Sequence, residues 1–228
     1  MSKVTTLVPL EFGVAGRTGR LSLELDAALE PGLHRGPCMN GVVMQGEPGF
    51  LSTAKLAHRV AMTHFALSAG LSIKWCLCPC HGLNFPGLEG GSAGAAFLLA
   101  LLKVGFGDFN RRALAHFGEI EEAITAVRLE WVAASAAIDE CGKFLPVDPR
   151  ALILKLKAQA DERPESRVRV AAIAQEQGDV PLAPAPKIPG LFLFDAGVPD
   201  GPVPVLRASN ADDCYRQLFR LQSGQVLL

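Results

Sequence analysis

Leu21, Leu23 and Leu25 alternate with Ser22, Glu24 and Asp26, the two-residue period of a strand with one buried face. Pro31 and Gly32 punctuate its end, and the glycine-rich stretch that follows holds Val42, Val43 and Met44, which suit a short second strand. Ser52 predicts a capped helix running to about Ser68. Leu56, Val60 and Ala61 share one face of it, Phe65 follows a turn later, and Lys55 and Arg59 reach water. Alternation returns after Gly70, with Ile73, Trp75 and Leu77 on one face of a strand and Lys74, Cys76 and Cys78 on the other. A glycine-rich loop then leads through Ser92 into residues 93–102, which have no polar face and predict a central helix packed on several sides, ending near Val104.

The second half reads less regularly. Residues 110–116 fit a short helix, and residues 121–124 carry no clear pattern. Val127, Leu129, Trp131 and Ala133 alternate with Arg128, Glu130 and Val132, predicting a strand that reaches toward Ile138, and residues 140–143 form a turn. Asp148 and Pro149 open a further helix whose polar end lies at 161–165. Val168, Val170 and Ala172 suit another strand, as do residues 203–206. Between them, Pro181, Pro184, Pro186 and Pro189 mark a loop over 178–189. Ser209, with Asp212 three residues on, resembles a capping box that opens a last helix through Phe219. Strands and helices interleave without a linker, so the expectation is one α/β domain over residues 1–228, a mixed sheet with packed helices.

Composition narrows the function. Of 228 residues, 49% are hydrophobic, enough for a packed core and too many for a disordered chain. Lys and Arg total 22 against 23 Asp and Glu, a near-balance that argues against coating nucleic acid, whose phosphates demand excess positive charge. The apolar run of residues 93–102 is about half of the roughly 20 residues a membrane-spanning helix needs, so no membrane partner is expected. The first residues show no basic patch leading into a signal-like core, and the six cysteines are too sparse for a disulfide scaffold. Reduced thiols in a cytoplasmic chain are the expectation.

Two segments carry candidate chemistry. In Glu89-Gly90-Gly91-Ser92-Ala93-Gly94, three glycines let backbone approach Ser92 closely. Amides at the start of the following helix point toward an oxyanion formed by serine attack on a carbonyl. The same letters suit an ordinary helix-capping serine. They also match the G-x-S-x-G elbow, but Pro86 to Glu89 reads as loop where the elbow requires a strand. A small-molecule hydrolase on this serine would draw its base from His34, His58, His64, His81 or His116. The second segment, Cys76-Leu77-Cys78-Pro79-Cys80-His81, offers soft ligands at a spacing unlike the C-x-x-C zinc knuckle. It suits a strand that a substrate peptide joins edge-on better than a metal centre, so neither metal nor cofactor is expected.

In order, these segments resemble the Lon peptidase domain across roughly residues 15–220. Glu89 to Gly94 is similar to the family's nucleophile region, where an acidic residue, glycine and proline precede Ser-Ala-Gly. Residues 21–32 resemble its opening strand. Gly41-Val42-Val43-Met44-Gln45 and the helix at Ser52 resemble its glycine, methionine-glutamine and long-helix stretch, and residues 73–78 stand in the place of the strand entering the active loop. Residues 135–147 are similar to its Thr-Gly-Glu strand and Leu-Pro turn, and Leu154-Lys155-Leu156-Lys157 to its Leu-Lys-x-Lys helix start. The resemblance implies the Lon proteolytic fold, with its ribosomal-protein domain-2-like architecture, and a serine endopeptidase with a Ser–Lys dyad.

Ser92 would then be the nucleophile and Lys157 the general base, with Lys155 its competitor. Ser135 would orient the lysine, Glu89 would tune the loop, and Gly90, Gly91 and Ala93 would shape the oxyanion site, with Cys76 and Cys78 beside the substrate. The implied partners are a protein or peptide substrate, a regulatory or unfoldase partner or domain, and further copies of the chain in a homo-oligomer.

Three departures stand out. Gly91 replaces the family's proline, Ala136-Ala137 replace its Gly-Glu, and the 65-residue interval from Ser92 to Lys157 exceeds the family's, placing a surface insertion at 105–126. The changes at Gly91 and Ala137 motivate an alternative, an inactive Lon-like domain used for assembly or peptide binding. The chain carries no G-x-x-x-x-G-K-[ST] signature, so no ATP-driven motor is encoded in it.

Overall fold

The computed structural model describes residues 3–12, 15–37, 46–79, 87–107, 118–146, 170–174 and 205–222. They build a mixed α/β arrangement around one sheet. Its strands are β1 (Lys3–Phe12), β2 (Ala15–Leu25), β3 (Gly32–Arg35), β4 (Ser72–Pro79), β5 (Val132–Ser135), β6 (Val170–Ala174) and β7 (Val205–Ala208). The helices are α1 (Pro48–His64), α2 (Gly94–Phe106), α3 (Glu119–Ala126) and α4 (Ala211–Gln222). Strand order is β3-β4-β2-β1-β5-β6-β7. The β1–β2 and β2–β4 pairs are antiparallel, and the others are parallel. Among the described residues no helix is long and apolar enough to cross a membrane.

Register explains where the core forms. Val4 faces Leu23 across β1–β2, and Leu23 faces Trp75 across β2–β4, so three strands deliver apolar side chains to one face. On that face Trp75, Phe50 of α1 and Phe97 of α2 make a cluster of tilted and edge-on rings, with centroids 5.0 to 6.4 Å apart. The opposite face carries Lys3, Thr5, Ser22, Glu24, Lys74, Cys76 and Cys78, where Lys74 Nζ pairs with Glu24 at 3.2 Å.

The all-apolar segment behaves as its pattern predicts. Every residue of α2 is buried except Lys103, whose ammonium donates to the carbonyls of Ile124 and Thr125 at the C-terminal end of α3. On its far side Tyr215 of α4 is fully buried and donates to the Leu99 carbonyl. The strands read at residues 21–26 and 73–78 are present, as are those near 168–172 and 203–206, displaced by about two residues toward the C-terminus.

Several expectations are corrected. Ser52 does not cap α1. The helix starts a turn earlier with Pro48 in its first turn, where a missing N–H costs nothing, and Ser52 Oγ donates back to the Gly49 carbonyl at 2.8 Å. It ends at His64 rather than near Ser68, as Ala66 turns to φ 52°. The strand expected from Val127 onward is a 3₁₀ turn at Leu129–Trp131 followed by β5, only four residues long. All four are buried because β5 lies inside the sheet between β1 and β6, so burial there has no two-residue period. Residues 105–126 are not merely a surface insertion. The span begins inside α2 and ends in α3, whose Ile120, Ala123 and Ile124 are buried in the core.

The last helix is capped one residue later than expected. Asn210 Oδ1 accepts from the Asp213 N–H at 2.9 Å, while the Asp213 carboxylate accepts from the Ser209 N–H at 2.9 Å. Asn210→Ala is therefore expected to cost about 1 kcal/mol of stability. Ser209→Ala, which touches only long 3.4 Å contacts, should stay within about 0.5 kcal/mol, as urea denaturation of both variants will show. The short strand expected at 42–44 and the helices expected at 110–116 and 148–165 lie outside the described residues, as does the proline-rich loop at 178–189.

Candidate functional site

Ser92 sits half-buried in the turn that enters α2. Ala93, not Ser92, occupies the N-cap position, and the helix has no side-chain cap. Among the described residues no hydrogen bond engages the Ser92 hydroxyl, so the reading of Ser92 as an ordinary capping serine does not hold.

Three long-range contacts fix this turn. The Ala95 N–H donates to the Ala136 carbonyl at 2.9 Å, tying the first turn of α2 to the chain just after β5. The Gly94 N–H donates to the Gly91 carbonyl at 2.9 Å and closes the turn around Ser92. Farther back, the Glu47 N–H donates to the Leu88 carbonyl at 3.0 Å, and Gly46 bridges Leu88 in parallel, so the start of α1 holds the approach to Ser92. Gly90 adopts φ +80°, a left-handed conformation that a side chain would strain.

The same contacts bring two helix starts together. A Cβ at Gly91 would lie 3.5 Å from both Thr53 Oγ1 of α1 and Ala137 Cβ. The N-terminal turns of α1 and α2 thus converge on residues 88–94, and both macrodipoles direct their positive ends there. Of the amides around Ser92, those of Gly94 and Ala95 are occupied, whereas those of Ser92 and Ala93 meet no acceptor among the described residues. An anion forming on a carbonyl attacked by Ser92 would find two donors and two helix dipoles.

Gly94 is the tight point. A Cβ there would stand 3.1 Å from Ile138 Cγ1 and 3.2 Å from the Ile138 backbone nitrogen, in a segment fixed by the Asp139 N–H to Lys143 and Leu145 N–H to Ala137 hydrogen bonds. Gly94→Ala is expected to destabilise the chain by about 1–3 kcal/mol through this overlap. Gly91→Ala meets only ordinary contacts and should stay within about 0.5 kcal/mol. Thermal melts of the two variants provide the check.

The other candidate residues fall as follows. Ser135 ends β5, one residue before the Ala136 carbonyl that anchors α2; it is fully buried and its hydroxyl has no hydrogen-bond partner among the described residues. The parallel register of Leu7 with Ala133 puts Ser135 on the face of the sheet opposite the aromatic cluster. Glu89 is exposed at the loop. Lys157 and Lys155 lie outside the described residues, as do Cys80, His81 and His116.

Cys76 and Cys78 are half-buried free thiols on β4. Along Ile73–Trp75, β4 is paired with β2 on one side and β3 on the other; the β3 register ends at Trp75, one residue before Cys76, while β2 pairing continues to Pro79. His58 of α1 is half-buried, its Nε2 has no partner among the described residues, and burial lowers its pKa from 6.5. No geometry here links it to Ser92 as a base.

Thr53 and Ile138 shape the site without having been singled out in the sequence, and Ala136, noted there only as a departure from the family, supplies the carbonyl that anchors α2. Each acts through backbone or through a contact distant in the chain, which no local pattern signals. Compared with known proteins, the sequence matches no family model and no curated relative.

Proposed function

We propose that this chain is a Lon-like serine endopeptidase that cleaves internal peptide bonds through an acyl-enzyme on Ser92, with the Lys157 amine as general base. The observation that carries the reading is the state of Ser92. Its hydroxyl is released from helix capping and placed where two helix starts and two unengaged amides converge. A serine that merely started a helix would spend its hydroxyl on a first-turn amide.

The chemistry follows from these parts. Lysine in water is protonated at neutral pH, but a desolvated pocket disfavours the ammonium and leaves a neutral amine. That amine takes the Ser92 proton as Oγ bonds to the substrate carbonyl carbon. The oxyanion is held by the Ser92 and Ala93 amides. Collapse breaks the C–N bond, and the lysine returns the proton to the leaving amine. Water then attacks the ester, giving its proton to the same amine; the C–Oγ bond breaks, Ser92 Oγ takes that proton back from the lysine, and the acid leaves. No motor signature is present, so the substrate is a loosely folded polypeptide or one delivered by an unfoldase partner.

Incubation of the full chain with an unstructured protein tests the reading. Wild type should generate peptides, and Ser92→Ala should generate none while melting at the same temperature. Equal cleavage by both, or none by either, would contradict the assignment.

A further inference from the structure

Cys76 and Cys78 project from the same face of β4, one residue apart, so their side chains are neighbours on that face. Neither thiol is in a disulfide, both are half-buried, and Cys76 lines an open cavity of about 110 Å³ together with Lys3, Ser22, Glu24 and Lys74. The proposed peptidase chemistry makes no use of this pair.

We propose that Cys76 and Cys78 chelate one copper(I) ion between their two sulfurs. Paired thiolates select soft cations, and copper(I) accepts a small ligand set. Zinc prefers four ligands, and among the described residues no group of three or more histidine, cysteine or carboxylate side chains is gathered. Charge points the same way. Arg20 stands opposite Cys78 in the register, and Lys3 and Lys74 line the cavity, Lys74 pairing with Glu24 on its wall and with Asp26 beyond it. A basic surrounding suits a complex that keeps one negative charge, which two thiolates around a monovalent ion do.

On binding, two S–H bonds break, two S–Cu bonds form and two protons pass to solvent, with no change of oxidation state. Because binding releases protons, affinity rises with pH.

The reduced full chain, titrated anaerobically with copper(I) against the chromophoric chelator bicinchoninate, tests the site. Wild type should withdraw one equivalent. Loss of an outer-shell partner alone weakens metal sites up to about 100-fold, so the Cys76→Ser, Cys78→Ser double variant should be weaker by at least about that factor. Cys141→Ser, at an exposed thiol, should match wild type. Equal withdrawal by the double variant, or none by wild type, overturns the proposal. X-ray absorption of the copper-loaded wild type gives a readout independent of any variant's folding: two sulfur neighbours support the site, and nitrogen or oxygen neighbours alone contradict it.

Discussion

Lys157→Met is expected to lower peptide hydrolysis by at least about 10,000-fold, the scale on which removal of one member of a catalytic unit acts. Methionine keeps the apolar stem and removes the amine, so a loss in kcat reports the missing base rather than a missing volume. Lys155→Met is the matched control. In a helix, side chains two residues apart project in different directions, so one pocket would admit only one of two such lysines. The Lys155 variant should hydrolyse peptide within about threefold of wild type, since a solvated lysine makes no transition-state contact. If the Lys155 variant were the inactive one, the Ser92 chemistry would stand and its base would be reassigned.

The second large effect concerns the scaffold. Phe97 is fully buried, with Phe50 6.0 Å and Trp75 5.0 Å from it between ring centroids. Its ring joins α2 to both α1 and β4, so Phe97→Ala empties the junction of three elements. The expected cost is about 3–5 kcal/mol, combining lost transfer energy with the cavity left behind. Guanidinium denaturation of the variant measures it. Because Ser92 stands five residues earlier on the same helix entrance, activity should fall with stability and recover on cooling, whereas the Lys157 variant should stay inactive at every temperature.

Legibility in the sequence followed locality. The Leu21, Leu23, Leu25 and Ile73, Trp75, Leu77 alternations read correctly because each strand has one face in the core and one facing polar groups. The helix of residues 93–102 read correctly because its surroundings are apolar on all sides. Alternation misled at residues 127–138, where an interior strand buries both faces and a 3₁₀ turn precedes it. The two capping assignments failed for different reasons: α1 starts a turn before Ser52, with Pro48 in its first turn and no side-chain cap, whereas at α4 Asn210 takes the capping bond in place of Ser209.

At the candidate site, the Ser92 loop was visible as glycine spacing, and its use of Gly90 at positive φ agrees with that. The partners that hold it were not. The Ala136 carbonyl is about 40 residues away in sequence, and Thr53 comes from a helix on the other side of β4 in the chain. That β3 pairs β4 only as far as Trp75, just short of Cys76 and Cys78, is likewise a non-local property that no local pattern signals.

The most direct measurement traps the covalent species. The wild-type chain is mixed with an activated peptide ester, quenched in acid, and digested for mass spectrometry. One acyl group is expected, attached to the peptide containing Ser92 and located at its side chain, with no such adduct in Lys157→Met. Acylation at a different residue, or rapid turnover with Ser92 unmodified throughout, would contradict it.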